Sequence, residues 1–226
     1  MTPWEHLDTA AVPGGGGTLR LLRRGTEYSI TLGRNELMNS RRGGSEEALA
    51  NLGCARIAAR KTPRVLIGGL GMGFTLRAAL QALPSEAAVV VAELVPAVVA
   101  WARGPLAVVF GGILDDPRVS LQELDVARLI GERPSAWDAI LLDVDNGPDG
   151  LTRASNDRLY DAAGLAAART ALRPGGVLAV WSAGPDRTFS RRLHETGLVV
   201  EEVAARAHGK RGIRHVIWLA ARSGRA

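Results

Sequence analysis

The sequence predicts a doubly wound α/β fold, with a mostly parallel seven-stranded sheet, preceded by a small N-terminal β-hairpin. Three observations carry this expectation. From about residue 61 short apolar runs alternate with helical patterns, the signature of βαβ units. One of these runs ends in clustered glycines that lead into a helix. The first sixty residues lack that alternation.

Taken in order, residues 14–17 are four glycines and read as a flexible linker. Residues 18–22 and 28–32 alternate apolar and polar side chains around the turn-like Arg24-Gly25-Thr26, which predicts the hairpin. Ser45-Glu46-Glu47 opens an apolar helix over 48–59, with Ser45 as its cap. The seven strands are expected at 64–70, 87–94, 119–124, 137–144, 177–183, 198–203 and 215–221. Between the early ones, residues 75–83 and 97–103 show the three- and four-residue spacing of helices. A long helix over 156–172 ends at Arg173-Pro174-Gly175-Gly176, where glycine takes the left-handed cap and proline blocks continuation. Asp186 caps a last helix over 188–196. The chain thus divides into an N-terminal segment, 1–44, and an α/β unit, 45–226.

Composition narrows the function classes. The chain has 226 residues, 46% apolar and 23% charged, enough to bury a full core and unlike a disordered or fibrous protein. The 28 basic residues outnumber 23 acidic ones, for a net charge of +5, and all but Lys61 and Lys210 are arginine. Arginine binds phosphates and carboxylates as a fork, so an anionic partner has to be weighed, but no block of like charge marks a nucleic-acid tail. The single cysteine, Cys54, allows no internal disulfide and reads as a small core residue. The four histidines lack ligand spacing, so no metal is expected. No apolar run approaches a membrane span and the first residues do not look like a leader, which reads as cytoplasmic.

The chemistry concentrates at the ends of the early strands. Val65-Leu66-Ile67-Gly68-Gly69-Leu70-Gly71-Met72-Gly73 is a buried strand running into glycines and then a helix, so backbone can approach a ligand closely with a helix N-terminus behind it. Gly68, Gly69, Gly71 and Gly73 are therefore candidate nucleoside-binding positions. The spacing is Gly-x-Gly-x-Gly from Gly69, not the dinucleotide pattern. An acidic residue closes each of the next three strands. Glu93, followed by Leu94, can accept both hydroxyls of a ribose. Asp125, followed by Val126, can accept from an adenine amino group, and Asp143 precedes a polar loop. In an open α/β sheet these ends converge on one crevice. Each acid alone reads equally well as a helix cap or a solvated loop end; the four coincident placements favour a site.

Together with Glu93-Leu94-Val95-Pro96, Asp115-Asp116-Pro117-Arg118-Val119, Leu124-Asp125, Trp137-Asp138-Ala139-Ile140 through Asp143, Gly147-Pro148, Leu159-Tyr160 and Pro174-Gly175-Gly176, the glycine loop resembles the spermidine synthase family over residues 25 to 183. That family is a branch of the class I, S-adenosylmethionine-dependent methyltransferase fold. The resemblance implies transfer of an aminopropyl group from decarboxylated S-adenosylmethionine to an amine, leaving methylthioadenosine, in polyamine biosynthesis, and a homodimer with an N-terminal β-hairpin region. Several family positions differ. Gly71 stands where the loop should carry aspartate, Asp143-Val144-Asp145-Asn146 replaces Asp-Ser-Ser-Asp, and Ser45-Glu46-Glu47-Ala48-Leu49 keeps Glu46 but has Leu49 for a tyrosine. The nucleoside half of the motif set is better retained than the polyamine half. Two ammonium groups need carboxylate partners when desolvated, so the losses weigh against putrescine as acceptor.

The donor is a sulfonium with a good leaving group, so alignment and a neutral nucleophile are what the protein must supply. An amine with a pKa of roughly 10 has to lose a proton. Asp143 is the first candidate base and Asp145 the second; Asn146 is expected to orient the acceptor and Glu46 to contact it, while Tyr160 reads equally well as a wall of its pocket and as a core or rim residue. A methyltransferase using intact S-adenosylmethionine on a small molecule is the alternative, favoured by Gly71. An RNA-binding or ligand-sensing relative without catalysis is a further one, weakened by the absence of a base-gripping motif after the fourth strand.

Overall fold

The computed structural model describes residues 2–41, 43–144, 157–208 and 211–224. Its first four strands, β1 (Glu5–Ala11), β2 (Thr18–Arg24), β3 (Glu27–Leu32) and β4 (Asn35–Asn39), form an antiparallel sheet in the order β1-β2-β3-β4. The expected hairpin is β2–β3, closed by a two-residue turn that begins with Gly25 at φ +61°. The next turn repeats the device with Gly33 at φ +58°, and so adds β4. Residues 14–17, expected as a linker, instead form a tight return, with Val12 N–H donating to the Gly17 carbonyl at 2.9 Å. That return sets β1 beside β2.

After α1 (Gly44–Ala55), the second sheet is built from β5 (Arg64–Gly68), β6 (Ala88–Glu93), β7 (Val119–Glu123), β8 (Trp137–Leu142), β9 (Leu172–Ser182), β10 (Val199–His208) and β11 (Arg211–Ala221). Its order is β10-β11-β9-β8-β5-β6-β7, and β11 runs antiparallel to both neighbours while the other pairings are parallel. All seven expected strands are present. The sheet winds outward in both directions from β5, which places the crevice above the carboxyl ends of β5, β6 and β8. Val65, Leu66 and Ile67 are fully buried because the sheet is covered on both faces.

The helices follow the same logic. Those labelled α2 (Phe74–Ala82), α3 (Pro96–Arg103) and α5 (Val126–Glu132) follow β5, β6 and β7, with the single turn α4 (Ala107–Phe110) after α3. The helix expected at 48–59 begins and ends about four residues earlier: Gly43 takes the cap, and Ser45 lies inside the first turn, donating to Glu46 Oε2 at 2.6 Å. A side chain at Gly43 would overlap the Phe74 ring, with Cβ only 2.3 Å from Cγ. The long helix expected at 156–172 is broken into α6 (Asp157–Tyr160) and α7 (Ala162–Ala171), because Asp161 leaves the helix and caps α7 through Gly164 N–H at 2.7 Å. Asp186 caps α8 (Arg187–Glu195) as expected, accepting from Thr188 and Phe189.

The hydrophobic core runs without interruption from Leu19, Leu21, Tyr28 and Ile30 of the small sheet, through Leu49 and Cys54 of α1, to Val65, Ile67 and Leu141 of the large one. Burial pushes the Cys54 thiol up to about 12, as a packing residue should show. Among the described residues no helix is long and apolar enough to cross a membrane.

Candidate functional site

The glycine loop is shaped by how closely β5 and β8 end together. Asp143 N–H donates to the Gly68 carbonyl at 2.9 Å, and Gly69 N–H to the Ala92 carbonyl at 2.9 Å. Gly69 has φ +91°, and a Cβ there would stand 2.2 Å from the Asp143 carbonyl oxygen, so only glycine fits. Gly73 caps α2 at φ +78°, pressed against Phe110. The loop therefore brings backbone to the ligand crevice and aims the first turn of α2 at it.

Glu93 braces this loop from the end of β6. Only 8% exposed, it accepts Leu70 N–H on Oε2 at 2.9 Å and Val95 N–H on Oε1 at 2.8 Å. One carboxylate thus ties the glycine loop to the start of α3. Asp125 caps α5, accepting Ala127 N–H at 2.9 Å. Asp125 does what the cap reading predicts while Glu93 caps no helix, and both line one cavity. Its walls include Gly69, Gly71, Leu94, Val126 and Asp143, with Gly16, Leu37 and Met38 contributed by the small sheet and its loops.

A second cavity opens beside the first and shares Leu37, Met38, Gly71 and Asp143 with it. Its other walls are Glu46, Leu70, Met72, Phe74 and Trp181. Asp143 therefore stands at the junction. Its Oδ2 accepts from Thr75 Oγ1 at 2.5 Å, and the same hydroxyl lies 3.4 Å from the Glu46 carbonyl. Burial first, and the nearby Glu46 carboxylate second, raise Asp143 from 3.8 to about 7, against the Thr75 hydrogen bond that favours the ion. Glu46 is raised by its own burial, opposed by the Ser45 hydroxyl. The two acids form a close pair that holds a proton near neutral pH.

Of the residues singled out in the sequence, Gly69, Gly71, Glu93, Leu94, Asp125, Val126 and Asp143 meet in the first cavity, and Glu46 reaches the second. Gly68 is buried beneath them at the end of β5. Asp145 and Asn146, and Gly147-Pro148 after them, lie outside the described residues. Tyr160 lines neither cavity: the break at Asp161 leaves its ring 1% exposed and edge-on to Phe189, centroids 5.6 Å apart, while its neighbour Leu159 faces the first cavity. Sequence reasoning missed Thr75, Met38 and Trp181. Thr75 carried one signal, a hydroxyl in the first turn after the glycine loop; Met38 sits on a strand too short to show a pattern.

No family model matches the chain. A polyamine aminopropyltransferase of Mycobacterium tuberculosis is 35% identical over 127 residues, and one of Mycobacterium bovis matches equally. The match takes in 55% of this chain and 23% of those relatives, so it spans less than a quarter of their length. Among solved structures, a spermidine synthase from Thermotoga maritima superposes with a TM-score of 0.78 at 17% identity, covering 97% of this chain and 74% of that one. A spermidine synthase in complex with the transition state analogue AdoDATO gives 0.76 at 17% identity, covering 97% and 73%. A probable spermidine synthase from Corynebacterium glutamicum gives 0.66 at 15%, covering 96% and 79%. The fold is that of the spermidine synthases.

Proposed function

We propose that this chain is a spermidine synthase-like aminopropyltransferase that moves the aminopropyl group of decarboxylated S-adenosylmethionine to a small amine. One observation carries the reading: a carboxylate poised near neutrality, Asp143, stands where the cavity lined by the glycine loop, Glu93 and Asp125 meets a second cavity that holds Glu46. The first cavity is the donor site, with Glu93 suited to the ribose and Asp125 to the adenine; the second takes the acceptor.

In this mechanism the acceptor enters as an ammonium, drawn to the Glu46 and Asp143 pair. Asp143 takes its proton, and the freed nitrogen lone pair attacks the aminopropyl carbon bound to sulfur. The new C–N bond forms as the C–S bond breaks; its electron pair stays on sulfur, which leaves as neutral methylthioadenosine. The product keeps its charge as a secondary ammonium, and Asp143 returns the proton it took to water. An ordinary carboxylate would be too weak a base for an amine, and burial narrows that gap. Thr75 fixes the carboxylate and keeps it ionisable. Positioning supplies the rest, since the sulfonium needs no activation. A homodimer in the cytoplasm belongs to the same reading and rests on the resemblance; sedimentation tests the assembly.

The purified chain, given decarboxylated S-adenosylmethionine and a panel of primary amines, should release methylthioadenosine together with an aminopropylated amine, both read by mass. One feature favours the methyltransferase alternative: Gly71, beside the Met38 sulfur, stands where the loop pattern of the resembled family has an aspartate, and so does not repel a donor that retains its carboxylate. S-adenosylhomocysteine formed from intact donor, with no methylthioadenosine from the decarboxylated one, would replace the first reading by the second.

A further inference from the structure

We propose that Met38 decides which donor the site takes: by covering Gly71 it keeps the carboxylate of intact S-adenosylmethionine off the glycine loop, and so selects the decarboxylated donor. This rests on the transferase reading and deepens it. Consecutive residues of a strand normally face opposite sides of the sheet, yet Leu37 and Met38 both line both cavities. A β-bulge accounts for it. Ile30 pairs with Met38 and Thr31 with Glu36, so Leu37 is the extra residue on β4, and the strand bends there to turn both side chains toward the crevice.

The bend lays Met38 on the glycine loop. A Cβ placed on Gly71 would already stand 3.4 Å from Met38 Sδ, in van der Waals contact. An atom not bonded to Gly71 needs more room than that, so no ligand atom passes between the loop and the thioether. What is covered is backbone suited to an anion: a glycine turn running into the start of α2, where N–H groups and the helix dipole favour negative charge. A donor carboxylate kept off it meets the apolar side chains of Leu37 and Met38 and the carboxyl group of Asp143, all walls of both cavities. Desolvation against such walls opposes the charge. The decarboxylated donor lacks that one group and loses nothing to the cover. Gly71 alone does not repel a carboxylate; Met38 beside it withholds the contact.

The test is calorimetric binding of two stable thioethers that differ only in the carboxylate, S-adenosylhomocysteine and decarboxylated S-adenosylhomocysteine. Methylthioadenosine, which has no side arm to place, reports whether the nucleoside part of the site is intact. The wild-type chain should bind the decarboxylated compound more tightly by about tenfold or more. Met38→Ala uncovers Gly71 and should shrink that preference by about fivefold or more, through tighter binding of S-adenosylhomocysteine, while Met38→Leu, similar in bulk, keeps it. Met38→Val, whose β-branch suits a strand, opens part of the same space and replaces the alanine variant if that one does not bind methylthioadenosine. Equal affinities in the wild type, tighter binding of S-adenosylhomocysteine, an undiminished preference in a small variant that binds methylthioadenosine, or a leucine variant that loses the preference each overturn the proposal and leave the transferase reading to its own assay. Failure of the wild-type chain to bind methylthioadenosine removes the transferase reading, and this proposal with it.

Discussion

Replacing Asp143 with asparagine should abolish turnover and make the protein more stable, but only at neutral and alkaline pH. Asp143 is raised from 3.8 to about 7 in the folded chain, so between those values the folded state holds a proton that the unfolded state has released. Stability contributed by this group is fully present below about pH 4 and drains away as the pH climbs through 7. Above that, the folded protein carries a buried charge that costs about 4 kcal/mol, at 1.36 kcal/mol for each pH unit between the two values. Glu46 can take up a proton in response, which absorbs part of the cost and leaves about 2 kcal/mol for asparagine to recover. For a chain of 226 residues that is a rise of roughly 4–8 °C in Tm at pH 8, shrinking to nothing at pH 4. Turnover should fall by ~100-fold or more while methylthioadenosine still binds. Thermal unfolding of both proteins from pH 4 to 9 checks this. A difference in Tm that does not change with pH, or a variant less stable at pH 8, would refute the account of Asp143.

Three other changes probe the same machinery. Thr75→Val removes the hydrogen bond that favours ionised Asp143, so the rising limb of kcat/KM should move to higher pH by about one unit and the activity lost at pH 7 should return by pH 9; an unmoved limb counts against the contact. Glu93→Gln must turn an NH₂ toward one of the two backbone N–H groups the carboxylate now receives, and affinity for methylthioadenosine should drop ~10- to 100-fold by calorimetry. Gly69→Ala forces Cβ into the Asp143 carbonyl at a left-handed φ and should cost roughly 3 kcal/mol in urea unfolding.

The large sheet was readable because its central strands are buried and bounded: Val65 to Ile67 end at glycine, and Trp137 to Leu142 end at Asp143. The residues lining the first cavity followed, since strand ends in such a sheet converge. β1 and β4 were not readable. Glu5–Ala11 and Asn35–Asn39 bury almost nothing by themselves and are strands because β2 and β3 offer them partners. Tyr160 stayed open between pocket wall and core for a related reason: helical spacing does not show the break at Asp161 beside it, and the structure buries the ring. Asp125 carries both readings at once, cap and cavity wall, and no spacing rule could separate two roles that the same carboxylate fills.

Leu37 and Met38 belong to the small antiparallel sheet, yet they wall both cavities of the large domain. A ligand in either chamber is therefore clasped between two layers of the molecule, and its binding energy is also spent on holding those layers together. Sequence drift in the small sheet, far from any acid or glycine of the motif set, reshapes the chambers as directly as a change at the strand ends.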